Sequence, residues 1–217
     1  GVVLIPAFAV GRTETVLYYL SRLRAEGRIP QVPVFCNSPM AINAAAIYQR
    51  YPQEHRLTAE ELRRMYRLAT LVRDPEDSRA LNTRGGPMII LSASGMLTGG
   101  RILHHVAAYG PDPRNAIVLT GYQAVGTRGA ALLGGARTLR IFGEDVPVRA
   151  RVVSIEGMSA HADADELYRW IAAAPAPPDV VYPVHGERMA TDALRVRIQR
   201  GLGWRVRVPE HGQRVRL

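Results

Sequence analysis

The sequence contains no lysine. All 28 of its basic residues are arginine, against 19 acidic ones, which leaves a formal net charge of +9 and a pI near 10.4. A coding bias towards GC-rich codons yields the same skew with no function behind it, so the charge is mild support for a polyanionic partner. Arginine's planar fork does suit phosphate better than an ammonium group, so sign and residue type agree. Cysteine is nearly absent. The single Cys36 excludes an internal disulfide and a cysteine-based zinc site. No apolar run approaches the roughly eighteen residues that cross a bilayer, and no charged stretch leads into an apolar one as in a secretory signal. The expectation is a cytoplasmic protein with no membrane partner. At 217 residues, 47 % hydrophobic and 22 % charged, the chain can bury one good core or two small ones, and disorder is not expected.

What is present is alternation. Short runs rich in valine and isoleucine exchange with helical patterns, the signature of an α/β protein with a largely parallel sheet. The spacing predicts strands at 2–5 and 32–35 and a helix over 12–25. Ser38 followed by Pro39, and the Thr58 to Glu61 capping box, announce two more helices. "PMIILSASGMLTGG" and "NAIVLTGYQAVGTRG" each run from a strand into a small, glycine-rich loop ahead of a helix. From 138 to 155 the pattern becomes two alternating runs around "GED", read as a hairpin. A helix from Asp163, a strand at 179–184, a helix over 187–200 and a terminal strand pair at 204–217 complete the reading. A buried strand at the first residues, with no methionine before it, is read as a start inside a larger protein.

Two of the six histidines, His161 in "GMSAHADADEL" and His185 in "YPVHGE", each follow an apolar run and precede a helix. Ligands gather at the C-terminal ends of strands in α/β sheets, so the two converge if their strands are neighbours. Singly, each reads as a structural loop histidine; together, among small residues that leave room for a ligand, the functional reading gains. Asp163 with Glu166 forms a capping box that explains it alone, the alternative being an acceptor that orients His161. His104 and His105 adjoin on one helix and point apart, and His55 and His211 are read as exposed. "AVGRTE" at 9–14 and "SASGML" at 92–97 are candidate phosphate cradles, with Arg12 as a bidentate donor and Ser94 and Gly95 in the second loop. Neither matches a known phosphate-loop pattern, and by pattern alone a plain tight turn is the better reading of each.

In order along the chain, "IPAFAVGRTE", "SASGMLTGGRILHH", "GYQAVGTRG", "GMSAHADADEL" and "YPVHGE" resemble the β-CASP branch of the metallo-β-lactamase superfamily. These are RNA-processing nucleases related to the endonuclease subunit of the cleavage and polyadenylation specificity factor. The resemblance implies a β-CASP cap over residues 1–150. Residues 151–217 would then form the C-terminal part of a metallo-β-lactamase αββα fold with its RNA-metabolising motif. It implies single-stranded RNA as substrate and hydrolysis by two zinc ions. His161 matches the histidine that contacts the scissile phosphate and assists the leaving group, and His185 matches a zinc ligand. Ser159 is implied beside Arg12, Ser94 and Gly95 at the substrate phosphate. A histidine at 185 favours the RNA-acting members over the DNA-repair members, which typically carry valine there.

The family's main zinc signature, H-x-H-x-D-H, does not occur in the sequence. One histidine cannot hold two zinc ions, because a catalytic zinc takes at least three protein ligands. The expectation is therefore a C-terminal portion of a nuclease, inactive alone and partnered by an N-terminal metallo-β-lactamase segment. A homodimer is kept open, and the alternative is a non-catalytic scaffold subunit of an RNA-processing complex.

Overall fold

The structure is a computed structural model that describes residues 1–215, and its chain divides into two compact units, Gly1–Ser159 and Ala160–Leu217. The first unit alternates strands and helices: β1 (Val2–Pro6), α1 (Arg12–Ala25), β2 (Val34–Cys36), α2 (Pro39–Arg50), α3 (Ala59–Leu68), β3 (Ala69–Leu71), α4 (Pro75–Ala80), β4 (Met88–Ser92), α5 (Arg101–Tyr109), β5 (Ala116–Leu119), α6 (Arg128–Leu133), β6 (Thr138–Ile141), β7 (Glu144–Pro147) and β8 (Arg151–Ser154). Six of the strands form one sheet in the order β3-β2-β4-β1-β5-β8, and every pairing in it is parallel. The α/β expectation with a parallel sheet holds.

The strands read as unbroken apolar runs because the sheet is covered on both faces. Alternate residues of β4 divide between two cores. Met88 and Ile90 join Leu4, Ile117, Ile102 and Val106; Ile89 and Leu91 join Val16 and Leu17 of α1 and Leu62 and Met65 of α3. Local signals set the helix starts. Ser38 accepts from Ala41 N at 3.3 Å with Pro39 in the first turn of α2, and Thr58 and Glu61 form the capping box of α3.

The hairpin is shorter than its sequence pattern. β6 and β7 pair antiparallel around Phe142 and Gly143, but the second alternating run is two elements. Arg149 N and Ala150 N both donate to the Gly110 carbonyl, turning the chain so that residues 151–154 leave the hairpin and join β5 as a parallel edge strand. An edge strand and a hairpin arm share the same period of two, so the pattern alone does not part them. His104 and His105 point apart as expected: His104 is exposed and stacks on Phe142 with ring centroids 4.4 Å apart, whereas His105 is fully buried. His55 is half-buried, not exposed.

In the second unit, α7 (Ala164–Ala172) packs on α8 (Arg188–Leu202). Arg197 pairs with Asp165 at 2.6 Å and lies 4.5 Å from the Tyr168 ring centroid. The strand expected at 179–184 is reduced to a single parallel bridge between Val181 and Val206. Strands are stable in ladders, and the described residues of this unit provide no further partner. The terminal strand pair expected at 204–217 shows only that bridge, and its last two residues lie outside the described ones. No helix among the described residues is long and apolar enough to cross a membrane.

Candidate functional site

Because all six strands of the sheet are parallel, every strand's C-terminal end opens on one edge. The loops after β1, β4, β5 and β8 therefore leave from the same side, carrying Arg12, Ser94, Gly95 and Ser159. Three of these loops are bound to one another. A Cβ at Gly95 would lie 3.0 Å from Phe8 Cδ2 and 3.1 Å from Phe8 N, so glycine lets the β4 loop come this close to the β1 loop without displacing Phe8. Gln123 Nε2 donates to the Gly95 carbonyl at 3.1 Å, Gly129 N donates to the Met96 carbonyl at 3.1 Å, and Arg128 donates to the Leu97 carbonyl at 3.1 Å. The edge is a fixed platform.

Arg12 opens α1 directly after Gly11, whose φ of 80° is the left-handed conformation glycine tolerates. Glu14 reaches back to accept from Gly11 N at 2.8 Å, and burial pushes its carboxyl pKa up. Thr13 donates from both its N and its Oγ1 to the Phe8 carbonyl, at 3.2 and 2.9 Å. These contacts hold the first turn while the Arg12 guanidinium stays beside Gly121, with Nε 3.9 Å from where a Cβ would stand. Half-buried, it has no side-chain hydrogen bond or ion pair among the described residues. A positioned cation without an internal partner, at the positive end of a helix, is suited to an oxyanion.

Ser94 is engaged otherwise. Its Oγ accepts from Thr98 N at 2.9 Å and Gly99 N at 3.4 Å, and it pairs with Thr98 Oγ1 at 2.9 Å, which ties its own loop shut. Two aromatic rings that the sequence reading passed over stand on the same edge: Phe8 is 45 % and Tyr122 54 % exposed. Their signal was available: Phe8 immediately precedes the loop singled out at 9–14, and Tyr122 lies inside the glycine-rich loop of "NAIVLTGYQAVGTRG". Cys36 is no nucleophile: burial, and then the nearby Glu14, push its thiol up to about 12.

In the second unit, His161 is exposed just ahead of α7. Asp163 caps that helix: its Oδ1 accepts from Asp165 N and Glu166 N, both at 2.8 Å, while Glu166 accepts from Asp163 N at 2.9 Å. His185 is exposed in the loop before α8, with φ 65°. That loop folds closely over the first helical turn, for a Cβ at Gly186 would lie 2.4 Å from Thr191 Oγ1. Arg12, Ser94 and Gly95 thus share one edge of the first unit's sheet, Ser159 ends that unit, and His161, Asp163 and His185 belong to the second.

A family model described as "Beta-Casp domain" matches residues 13–132, more than half of the chain. The chain belongs to the Beta-Casp family. A second model, described as "Zn-dependent metallo-hydrolase RNA specificity domain", matches residues 145–209. Among curated proteins, the chain is 42 % identical over 200 residues to "Ribonuclease TTHA0252" of Thermus thermophilus, covering 89 % of this chain and 45 % of that protein. It is 32 % identical over 217 residues to an "RNase J-like protein" of Methanocaldococcus jannaschii, covering 98 % and 49 %. To "Transcription termination factor FttA" of Pyrococcus horikoshii it is 33 % identical over 229 residues, covering 100 % and 35 %. The chain therefore spans about half the length, or less, of the relatives it matches. The family expected from the five sequence segments is the family found.

The second model's description points to zinc. Among the described residues of this Beta-Casp chain, however, no group of three or more His, Cys, Asp and Glu is placed to hold a metal ion. His185 alone does not fit a dinuclear centre, which needs at least three protein ligands per catalytic zinc.

Proposed function

We propose that this chain is the RNA-holding part of an RNA-cleaving hydrolase. Its β-CASP cap, residues 1–150 by the sequence reading, would hold RNA phosphates at the C-terminal edge of the sheet. The remainder would contribute His161 and His185 to the cleavage site. The observation that carries this is Arg12: a half-buried guanidinium at the start of α1, without a partner among the described residues, on an edge that also carries the exposed rings of Phe8 and Tyr122. Cation and aromatic together are what a single strand asks for, with phosphate on the first and unstacked bases on the second. The family and the relatives' names support RNA as the substrate class.

In this reading His161 donates a proton to the departing oxygen of the phosphodiester. Asp163 caps α7 and so fixes the start of the helix behind that loop. Ser159 and Gly95 are assigned to the substrate phosphate, and Ser94 acts through the loop it closes. Zinc dependence belongs to the complete protein, where His185 would be one ligand among others lying outside the described residues; bound zinc would supply an activated water. Fluorescence anisotropy of the 217-residue chain with a labelled single-stranded RNA tests the proposal. Binding that weakens steeply with salt, without cleavage, is expected; failure to bind RNA at low salt contradicts it.

A further inference from the structure

At the far end of α1 lies a second basic feature, which plays no part in the edge described above. α1 and α3 pack side by side, and between them opens a cleft of about 580 Å³ lined by Arg24 of α1 and by Glu60, Arg63, Arg64 and Arg67 of α3. The amphipathic pattern of α3 explains how the arginines come to line it. Leu62 and Met65 are buried in the core, which turns 60, 63, 64 and 67 outward along one stripe at helical spacing. All four α3 residues are exposed.

Four arginines against one lining carboxylate is a repulsive arrangement, and the protein offsets it only in part, through Glu61, whose carboxyl pKa is lowered first by the Thr58 hydrogen bonds and then by Arg64. None of Arg24, Arg63, Arg64 and Arg67 forms an ion pair among the described residues. Arg24 is held in place by a hydrogen bond from its guanidinium to the Val32 carbonyl, and its Nε is buried without a partner. Helix dipoles account for part of the set, since Arg24 and Arg67 stand in the last turns of their helices, where cations are favoured. Arg63 and Arg64 sit further back in α3, where that effect has faded, so the dipole does not account for the cluster.

We propose that this cleft is a second phosphate-binding surface, an exosite for the backbone of a single-stranded RNA whose other part lies on the Arg12 edge. The inference rests on the RNA reading above. It adds a length requirement. Arg12 and Arg24 are twelve positions apart on one helix, about 18 Å along its axis. Neighbouring phosphates of an extended single strand lie farther apart than the rise per base pair of a duplex, so a dinucleotide is too short to touch both, whereas a strand of about twenty nucleotides is long enough.

The test compares the 217-residue chain with Arg63→Ala/Arg67→Ala and with Arg12→Ala, using single-stranded RNAs of about two and about twenty nucleotides and a range of salt. The exosite predicts that the double variant binds the long RNA about tenfold more weakly, with a salt slope smaller by about 1.4, while binding the short RNA as before. Arg63→Lys/Arg67→Lys keeps the slope, because the charge remains. Unchanged long-RNA affinity and slope in the double variant, with Arg12→Ala still impaired, overturns the exosite and leaves the RNA reading standing. No binding of either RNA by the unaltered chain overturns both.

Discussion

Asn37 and His105, 68 residues apart in sequence, meet side chain to side chain at 2.7 Å, both fully buried. On the other side of the imidazole, Nδ1 is 2.6 Å from Asn82 Oδ1, so a neutral ring that donates from Nδ1 and accepts at Nε2 satisfies both neighbours. Asn37 also donates to Ser78 and accepts from Arg101 at 2.9 Å. The network fastens the β2 end and the start of α5 beneath the candidate site. Burial, followed by His104 and Arg101, lowers the His105 pKa from 6.5 to about 4. The unfolded chain therefore binds the proton first as pH falls. Stability contributed by the neutral ring is complete above about pH 6.5 and is lost progressively down to about pH 4, a change on the order of 3 kcal/mol. Denaturant unfolding across that range, beside His105→Gln, checks it: the variant should be less stable at pH 7 and should show a shallower decline.

Gly95→Ala should separate the loops rather than unfold the sheet. The added methyl would press on the Phe8 ring and on Phe8 N at 3.0 to 3.1 Å, a contact on backbone as well as side chain, costing about 1–3 kcal/mol. Thermal unfolding should register a modest loss. RNA affinity should fall by more than the stability change explains, because the β1 loop carries Arg12. Wild-type affinity in a folded Gly95→Ala chain would detach this crossing from RNA binding.

His161 and His185 have separate roles in the proposal, one towards substrate and one towards metal. In the complete nuclease, His161→Ala should reduce single-turnover cleavage of RNA by about 10² or more with zinc content unchanged, whereas His185→Ala should lower bound zinc as well. Metal analysis beside the cleavage assay decides between them. Zinc lost on removing His161 would reverse the assignment.

How much of this could be read from the sequence differs between fold and site. The parallel sheet was legible because strands such as 88–92, buried on both faces, leave continuous apolar runs. The capping residues Ser38, Thr58 and Asp163 act as their types require. The departure of 151–154 from the hairpin was not legible, since it depends on the Gly110 carbonyl some forty residues earlier. At the candidate site, the place of Arg12 at the start of α1 could be read from its loop, but the enclosure of Ser94 Oγ by its own loop could not: the same small residues allow either outcome. The basic cleft was invisible for a similar reason. Arg24 and the α3 arginines meet only through helix packing between segments about forty residues apart.

The central claim, that the Arg12 edge holds RNA phosphate, is tested most directly by the salt dependence of RNA binding in the 217-residue chain and in Arg12→Ala. Unaltered chain should bind single-stranded RNA with an affinity that falls linearly in log–log form as salt rises. Arg12→Ala should bind about tenfold more weakly for every sequence alike, with a slope smaller by about 0.7, one phosphate contact fewer. The same affinity and slope in both proteins, or a loss confined to particular sequences, would contradict the account.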